Sequence, residues 1–265
     1  MAAADILVVL VAIILQQINF IYLFAYFLFK SPLCAVILVL QLVTTQCSVW
    51  FTVAFTFDRY IAICCEKLRK QYCTERTATV VTAAATAGSV VLSVPFYFAV
   101  DPQRCVPTVE YMTSPAWATF ELFMIIINPL SPICLIVLFN ALTIRYITAA
   151  NRVRRKLRCS GQKQKDSEVE KRRKSMILLF ALSANFILLW MPHVVHSIKW
   201  QKQNNFYTDR HLSTPIYILQ QFGFMLRMLS TCTNTCIYVL TQRSFREQLK
   251  SGLKYLFTLT GQLYK

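Results

Sequence analysis

Six times in 265 residues the chain runs apolar for the length of a membrane crossing: residues 2–29, 33–62, 77–100, 117–147, 175–198 and 214–240. About 20 apolar residues, each rising about 1.5 Å, cross a hydrocarbon core of roughly 30 Å, and there only a helix satisfies its own backbone within one segment. With 56% hydrophobic and 15% charged residues, the chain carries more apolar surface than a soluble domain of its size can bury. The expected fold is an all-α membrane protein.

The bases orient the spans. Four lie between the second and third stretches (Lys67, Arg69, Lys70, Arg76), twelve between Arg145 and Lys174, and four follow the last (Arg243, Arg246, Lys250, Lys254). If the spans alternate, all these fall on one side, which the positive-inside rule makes cytoplasmic, so both termini are expected there. Much of the net charge of +16 is therefore loop asymmetry that attracts anionic lipid heads, and it does not indicate a nucleic-acid partner. The opening residues carry an acid where the basic leader of a cleaved signal would sit.

The ten cysteines show no metal-ligand spacing, and no metal site is expected. Most sit in spans or at inner ends, as small apolar packing groups. Cys34 and Cys105 instead face the outer, oxidising side, where a disulfide persists; two separate thiols is the competing reading. No glycosylation sequon occurs. The inner loop 150–174 reads as two helical extensions around a mobile centre. After the last span, Phe245, Leu249, Leu253 and Leu256 share a face opposite Arg246, Lys250 and Lys254, predicting an amphipathic interfacial helix over 242–257.

Several short motifs stand out along these spans. "FDRYIAIC" places Asp58, Arg59 and Tyr60 at the inner end of the second stretch, 25 residues after Cys34. "FILLWMPHVV" holds Phe186, Trp190 and Pro192; "NTCIY" runs from Asn234 to Tyr238; Pro132 lies in the fourth stretch and Asp5 in the first. Together, in order and register, these resemble a rhodopsin-like (class A) G-protein coupled receptor over most of the chain. The finer wording is most similar to the receptor 139-like orphan branch.

The resemblance implies a class A helical bundle with six of its seven transmembrane helices present, Met1 falling just inside the second. Residues 1–257 form the receptor domain and 258–265 a short tail. Asp58, Arg59, Tyr60, Asn234, Tyr238, Phe186, Trp190, Pro192 and Pro132 are expected to form the activation switch that couples to a heterotrimeric G protein. Cys34 and Cys105 are expected to be bridged. Asp5, with Ser48, Ser230 and Asn234, is expected to hold an allosteric Na⁺; a neutral, hydrogen-bonded Asp5 is the alternative. The branch implies an aromatic amino acid as ligand and coupling to Gq/11; a small peptide is also open.

Some positions depart from the family pattern. Thr235 replaces the seventh-helix proline, Asn140 a fifth-helix tyrosine, and Arg172 sits where many receptors carry an acid. The inward positions of the outer half are expected to be Gln41, Leu42, Thr45, Glu121, Asn128, Trp190, His193, His196, Gln220 and Arg227. Arg227 and Glu121 are expensive in a membrane unless paired with neighbours or with a ligand's carboxylate and ammonium. Both readings stand. Rival functions are a truncated, non-signalling receptor isoform and a six-helix transporter or channel, the latter disfavoured by the lack of repeats and of a filter-like segment. No nucleophile, metal cluster or phosphate loop suggests an enzyme.

Overall fold

The computed structural model describes residues 33–101, 106–157, 166–202 and 215–241, together with Asp5, Val8, Glu247, Lys250, Ser251 and Gly252. The described chain is almost wholly helical. In order it comprises α1 (Leu33–Cys64), α2 (Glu66–Tyr72), α3 (Glu75–Ser93), a 3₁₀ segment (Val94–Ala99), strands β1 (Val100–Asp101) and β2 (Val106–Pro107), α4 (Val109–Thr113), α5 (Pro115–Ile125), a π segment (Ile126–Leu130), α6 (Ser131–Leu157), α7 (Asp166–Lys202) and α8 (Pro215–Thr241). Asp5 and Val8 are helical; the rest of the first expected span lies outside the described residues, as does most of the 242–257 segment, of which residues 247 and 250–252 are helical.

Among the described residues, four helical stretches are long and apolar enough to cross a membrane: Leu33–Cys64, Glu75–Ala99, Pro115–Ala150 and Phe180–Lys199. At 27 residues α8 has the length, but Gln220, Gln221, Arg227 and its Ser, Thr and Asn residues lower its hydropathy. A helix whose polar face turns into a bundle reads this way.

The central helix is α1, half of whose most apolar window is buried, against 11% for the peripheral α3. Two of its interior hydroxyls are satisfied along the helix itself: Thr52 Oγ1 donates to the Ser48 carbonyl at 2.9 Å and Thr56 Oγ1 to that of Thr52 at 2.8 Å. One side of α1 packs on α3 and another on α6, and α7 lies along α8. Val49 and Val53 of α1, Ile136 of α6, and Phe186 and Trp190 of α7 make the buried cluster at the junction.

Two local departures from straight helix shape the bundle. At Ile126–Leu130 the chain widens into a π turn containing Pro129, with Asn128 at φ −150°, ψ 98°. Proline lacks the N–H that would continue the ladder. The bulge thus precedes Pro132, which is buried at the second position of α6. Between α7 and α8, Gly223 allows backbone contact: a Cβ there would lie 3.1 Å from both the Cα and the N of His193.

The outer segment 101–116, read as loop from sequence, contains structure. Val100 pairs with Pro107 and Asp101 with Val106 in an antiparallel ladder. Thr108 then caps α4, accepting from the Tyr111 N–H at 3.2 Å. Both expected helical extensions flanking the inner loop form, to Leu157 and from Asp166, while 158–165 lies outside the described residues.

Candidate ligand cavity and inner switch

Between the outer halves of the helices lies a cavity of about 300 Å³. Of the positions expected there, Leu42, Thr45, Glu121, Asn128, Trp190, His193, His196, Gln220 and Arg227 line it. Gln41 is buried but is not among the lining residues. Sequence reading missed Gln46, Phe96, Tyr111, Met124, Ile125 and Ser197. Gln46 could have been found, since it falls one turn after Leu42 on the same face. Phe96 and Tyr111 could not, because Phe96 sits where the 77–100 stretch tightens from α-helix into the 3₁₀ segment and loses the α register, and Tyr111 arrives from α4, outside any span.

Arg227 dominates the cavity's electrostatics. Its guanidinium lies 5.9 Å from the Trp190 ring centroid and 5.4 Å from that of Phe224, with Nη1 3.5 Å from His193 Nε2. Its Nε has no hydrogen-bond partner. No carboxylate among the described residues pairs with it: Glu121 accepts a hydrogen bond from the Tyr111 hydroxyl, and Asp58 pairs with Arg59. Aromatic faces stabilise a desolvated cation by about 2 kcal/mol, well short of replacing a counter-charge.

Other polar atoms here are also unsatisfied. Thr45 Oγ1, Gln46 Oε1 and Asn128 Oδ1 are buried without partners, although Gln46 Nε2 donates to Ser93 Oγ at 3.1 Å. Buried polar groups are normally paired, so a cavity lined by several open ones is suited to a polar guest. Gly223 and Arg227 stand one turn apart on α8, so the close approach at His193 also carries the guanidinium toward the Trp190 face. Below, Trp190, two residues before Pro192, packs on Phe186 one turn earlier in α7 with centroids 5.2 Å apart.

At the inner end of α1 the Asp58 and Arg59 side chains meet directly, Arg59 Nη2 donating to Asp58 Oδ2 at 2.8 Å, with the guanidinium 5.2 Å from the Phe55 centroid. Tyr60 stacks on Phe139 at 5.9 Å, and Phe57 packs on Phe139 at 4.9 Å and on Tyr72 at 5.3 Å. Asn140 Oδ1 and Arg59 Nε have no partner. Asn234 and Tyr238 lie on α8 by backbone, while their side chains fall outside the described set.

Asp5 is 1% exposed and accepts from Ser48 Oγ at 2.5 Å; its second oxygen and the Ser230 hydroxyl are both without partners. Val8, one turn after Asp5, clusters with Met228 of α8, bringing that helix to the same level. A carboxylate and two hydroxyls are hard oxygen donors that suit Na⁺ chemically. Sequence reading missed Asn185, which accepts from Thr233 Oγ1 at 3.0 Å and donates to the Ser230 carbonyl at 3.4 Å, tying α7 to α8. Cys34 is in a disulfide; Cys105, its expected partner, lies outside the described residues.

Residues 1–238 match the model of the 7 transmembrane receptor (rhodopsin family). The chain is also similar to the probable G-protein coupled receptor 142 of Mus musculus, 27% identical over 214 residues, covering 80% of this chain and 52% of that protein. It is 22% identical over 284 aligned positions to the Mus musculus neurotensin receptor type 1, covering 97% of this chain and 66% of that receptor. The chain thus spans about half to two thirds of the length of these relatives. With its apolar spans, this makes it a multi-pass protein of the plasma membrane and a family of receptors, not of enzymes, its home: the chain belongs to the rhodopsin family of 7 transmembrane receptors.

Proposed function

We propose that this receptor converts the binding of a small extracellular ligand, an aromatic amino acid, into activation of a heterotrimeric G protein of the Gq/11 class. The observation that carries the ligand reading is Arg227: a guanidinium facing a cavity, its Nε buried and unpartnered, with two aromatic rings beside it and no carboxylate among the described residues paired with it. A ligand carboxylate supplies the missing charge, Glu121 takes the ammonium, and Trp190 and Phe186 underlie the aromatic ring. The likeness to receptor 142 and the wording around Arg59 support placement in the 139-like branch, and with it Gq/11 coupling.

Transmission then runs down α7. A ring pressed on Trp190 favours outward movement of the inner half of α7 about Pro192. The inner ends part, Arg59 leaves Asp58, and the freed guanidinium meets the C-terminal helix of the G-protein α subunit. Asp5, Ser48 and Ser230, with Asn234 of α8 as a further expected donor, would hold an allosteric Na⁺, whose charge would favour the resting arrangement.

The test is nucleotide exchange on purified Gq heterotrimer with the receptor in lipid nanodiscs, comparing an aromatic amino acid with its carboxamide. Stimulation by the acid and loss with the amide is the expected result. Equal response to both removes the Arg227 reading, and response only to peptides favours the small-peptide alternative.

A further inference from the structure

A second cavity, of about 270 Å³, opens beside the inner half of α1, bounded by α1, α2 and the start of α3. Its lining changes character along its length. Phe51 and Phe55 of α1 face Ala78 and Val81 of α3 at the deeper end, while Asp58, Tyr72 and Thr74 close the end nearer the cytoplasm. From Phe51 to Asp58 is seven residues, so the slot runs about 10 Å along the helix axis at about 1.5 Å per residue. Ala78 and Thr82 are exposed, leaving the slot open sideways between α1 and α3, toward the bilayer.

The polar end lies among bases. Arg69 and Lys70 form the last turn of α2, and Arg76 is in the first turn of α3, two residues after Thr74; all are exposed. The cavity's own acid does not oppose an anion at this mouth, because Asp58 is neutralised by Arg59 at 2.8 Å. Leu68 of α2 is 51% exposed between Lys67 and Arg69, as in a helix lying in the interface with its apolar side toward lipid.

We propose that this slot is a binding site for an anionic phospholipid of the inner leaflet. One acyl chain lies between the Phe51–Phe55 face of α1 and Ala78 and Val81 of α3, and the headgroup phosphate is held by Arg69, Lys70 and Arg76. The slot is largely apolar in depth, is closed by Asp58, Tyr72 and Thr74, and is flanked at that end by exposed bases of α2 and α3, an order that matches the polarity of a lipid standing in its own leaflet. General attraction of bases to an anionic surface gives no such order. A chain seated there touches Phe55, the ring under the Arg59 guanidinium, so occupancy bears on the ion pair at the end of α1.

The experiment is native mass spectrometry of the full chain, released from nanodiscs containing phosphatidylserine and phosphatidylcholine. It is paired with photo-crosslinking by a phosphatidylserine carrying a diazirine on its acyl chain. Retention of phosphatidylserine over phosphatidylcholine by roughly tenfold is expected, with label on peptides containing Phe51, Phe55 or residues 77–82. Ala78→Trp and Val81→Phe should abolish both signals by filling the slot. The combined Arg69→Gln, Lys70→Gln and Arg76→Gln variant should abolish the headgroup preference. Retention that survives both filling variants while needing the bases reduces the site to surface adsorption and overturns the proposal. Equal retention of both lipids overturns its anionic part. If a filling variant does not fold, the crosslink position in the unaltered chain decides alone, and label confined to other peptides overturns the site.

Discussion

Two arginines are set into this bundle, and they are finished differently. Arg59 at the inner end has its counter-charge beside it in sequence and touching it in space, at 2.8 Å. Arg227 in the outer half has Trp190, Phe224 and the His193 ring for company and no carboxylate among the described residues. Each leaves its Nε without a partner. The inner arginine is therefore self-neutralised, with a further donor to offer once it moves; the outer one is a cation whose counter-charge must come from elsewhere. Removing one member of a buried charge pair costs about 3–5 kcal/mol, so a fold keeps an uncompensated cation only where something else meets the charge.

The sharpest way to break this contrast is to remove the inner arginine. Arg59→Ala is expected to abolish ligand-stimulated nucleotide exchange while leaving ligand affinity within about twofold, as for an interaction made only in the signalling state. Asp58→Asn should act in the opposite sense, raising ligand-independent exchange, because the amide gives up the charge that holds Arg59. Exchange assays run beside radioligand binding check both. Full signalling by Arg59→Ala would mean the pair is only an interfacial anchor.

The outer arginine should give a smaller, ligand-specific effect. Arg227→Gln is expected to weaken an amino-acid ligand by roughly 10- to 100-fold, the worth of a charge-assisted hydrogen bond of about 1.5–3 kcal/mol. Its carboxamide analogue should lose little further. A concentration-response series with both ligands on both proteins tests this as a double-mutant cycle. Independent losses would show that the carboxylate goes somewhere other than Arg227.

How far these sites were legible in the sequence follows the same division. Asp58–Arg59 and the face of α1 carrying Leu42 and Thr45 were readable because a span's register fixes which side chains face inward. The bulge at Ile126–Leu130, within a turn of the expected switch residue Pro132, was not readable, since a π turn adds a residue without any composition change. Tyr111 was unreadable: it reaches Glu121 only because Thr108 caps a five-residue helix placed by the β1–β2 ladder, which is long-range geometry. Glu121, read in sequence as pairing with a neighbour or with a ligand's ammonium, accepts from that phenol.

Gly223 tests what aligns the outer arginine. Adding a methyl group there places carbon 3.1 Å from two backbone atoms of His193, where no flexible side chain can yield. Gly223→Ala should force α7 and α8 apart by a few tenths of an ångström and cost about 1–3 kcal/mol. A fall of a few degrees in Tm of the detergent-solubilised receptor is expected, with a few-fold loss of ligand potency and unaltered ligand-independent exchange. An equal change in basal exchange would mean that the two ends are not separable by this contact.

The smallest expected effect reports on the inner pair without touching it. Cys73 lies between α2 and α3, outside the spans, with its Sγ 4.0 Å from the Asp58 carbonyl oxygen. Burial first, and then the hydrogen bond and the negative charge of Asp58, push this thiol above its ordinary range, while Arg59 and Arg69 pull against them. A raised pKa favours the neutral thiol, so Cys73 should alkylate slowly at neutral pH despite its exposure, and quicken as the pH rises beyond the usual thiol range. Asp58→Asn removes the negative charge and should speed labelling at pH 7 by a few-fold. Maleimide labelling mapped to the Cys73 peptide gives the rate at each pH. Because the outer cavity is on the other side of the bundle, Arg227→Gln should leave that rate unchanged. A shift in Cys73 labelling on Arg227→Gln would show that the outer cation already biases the inner pair without ligand, and the two arginines would then be one coupled device.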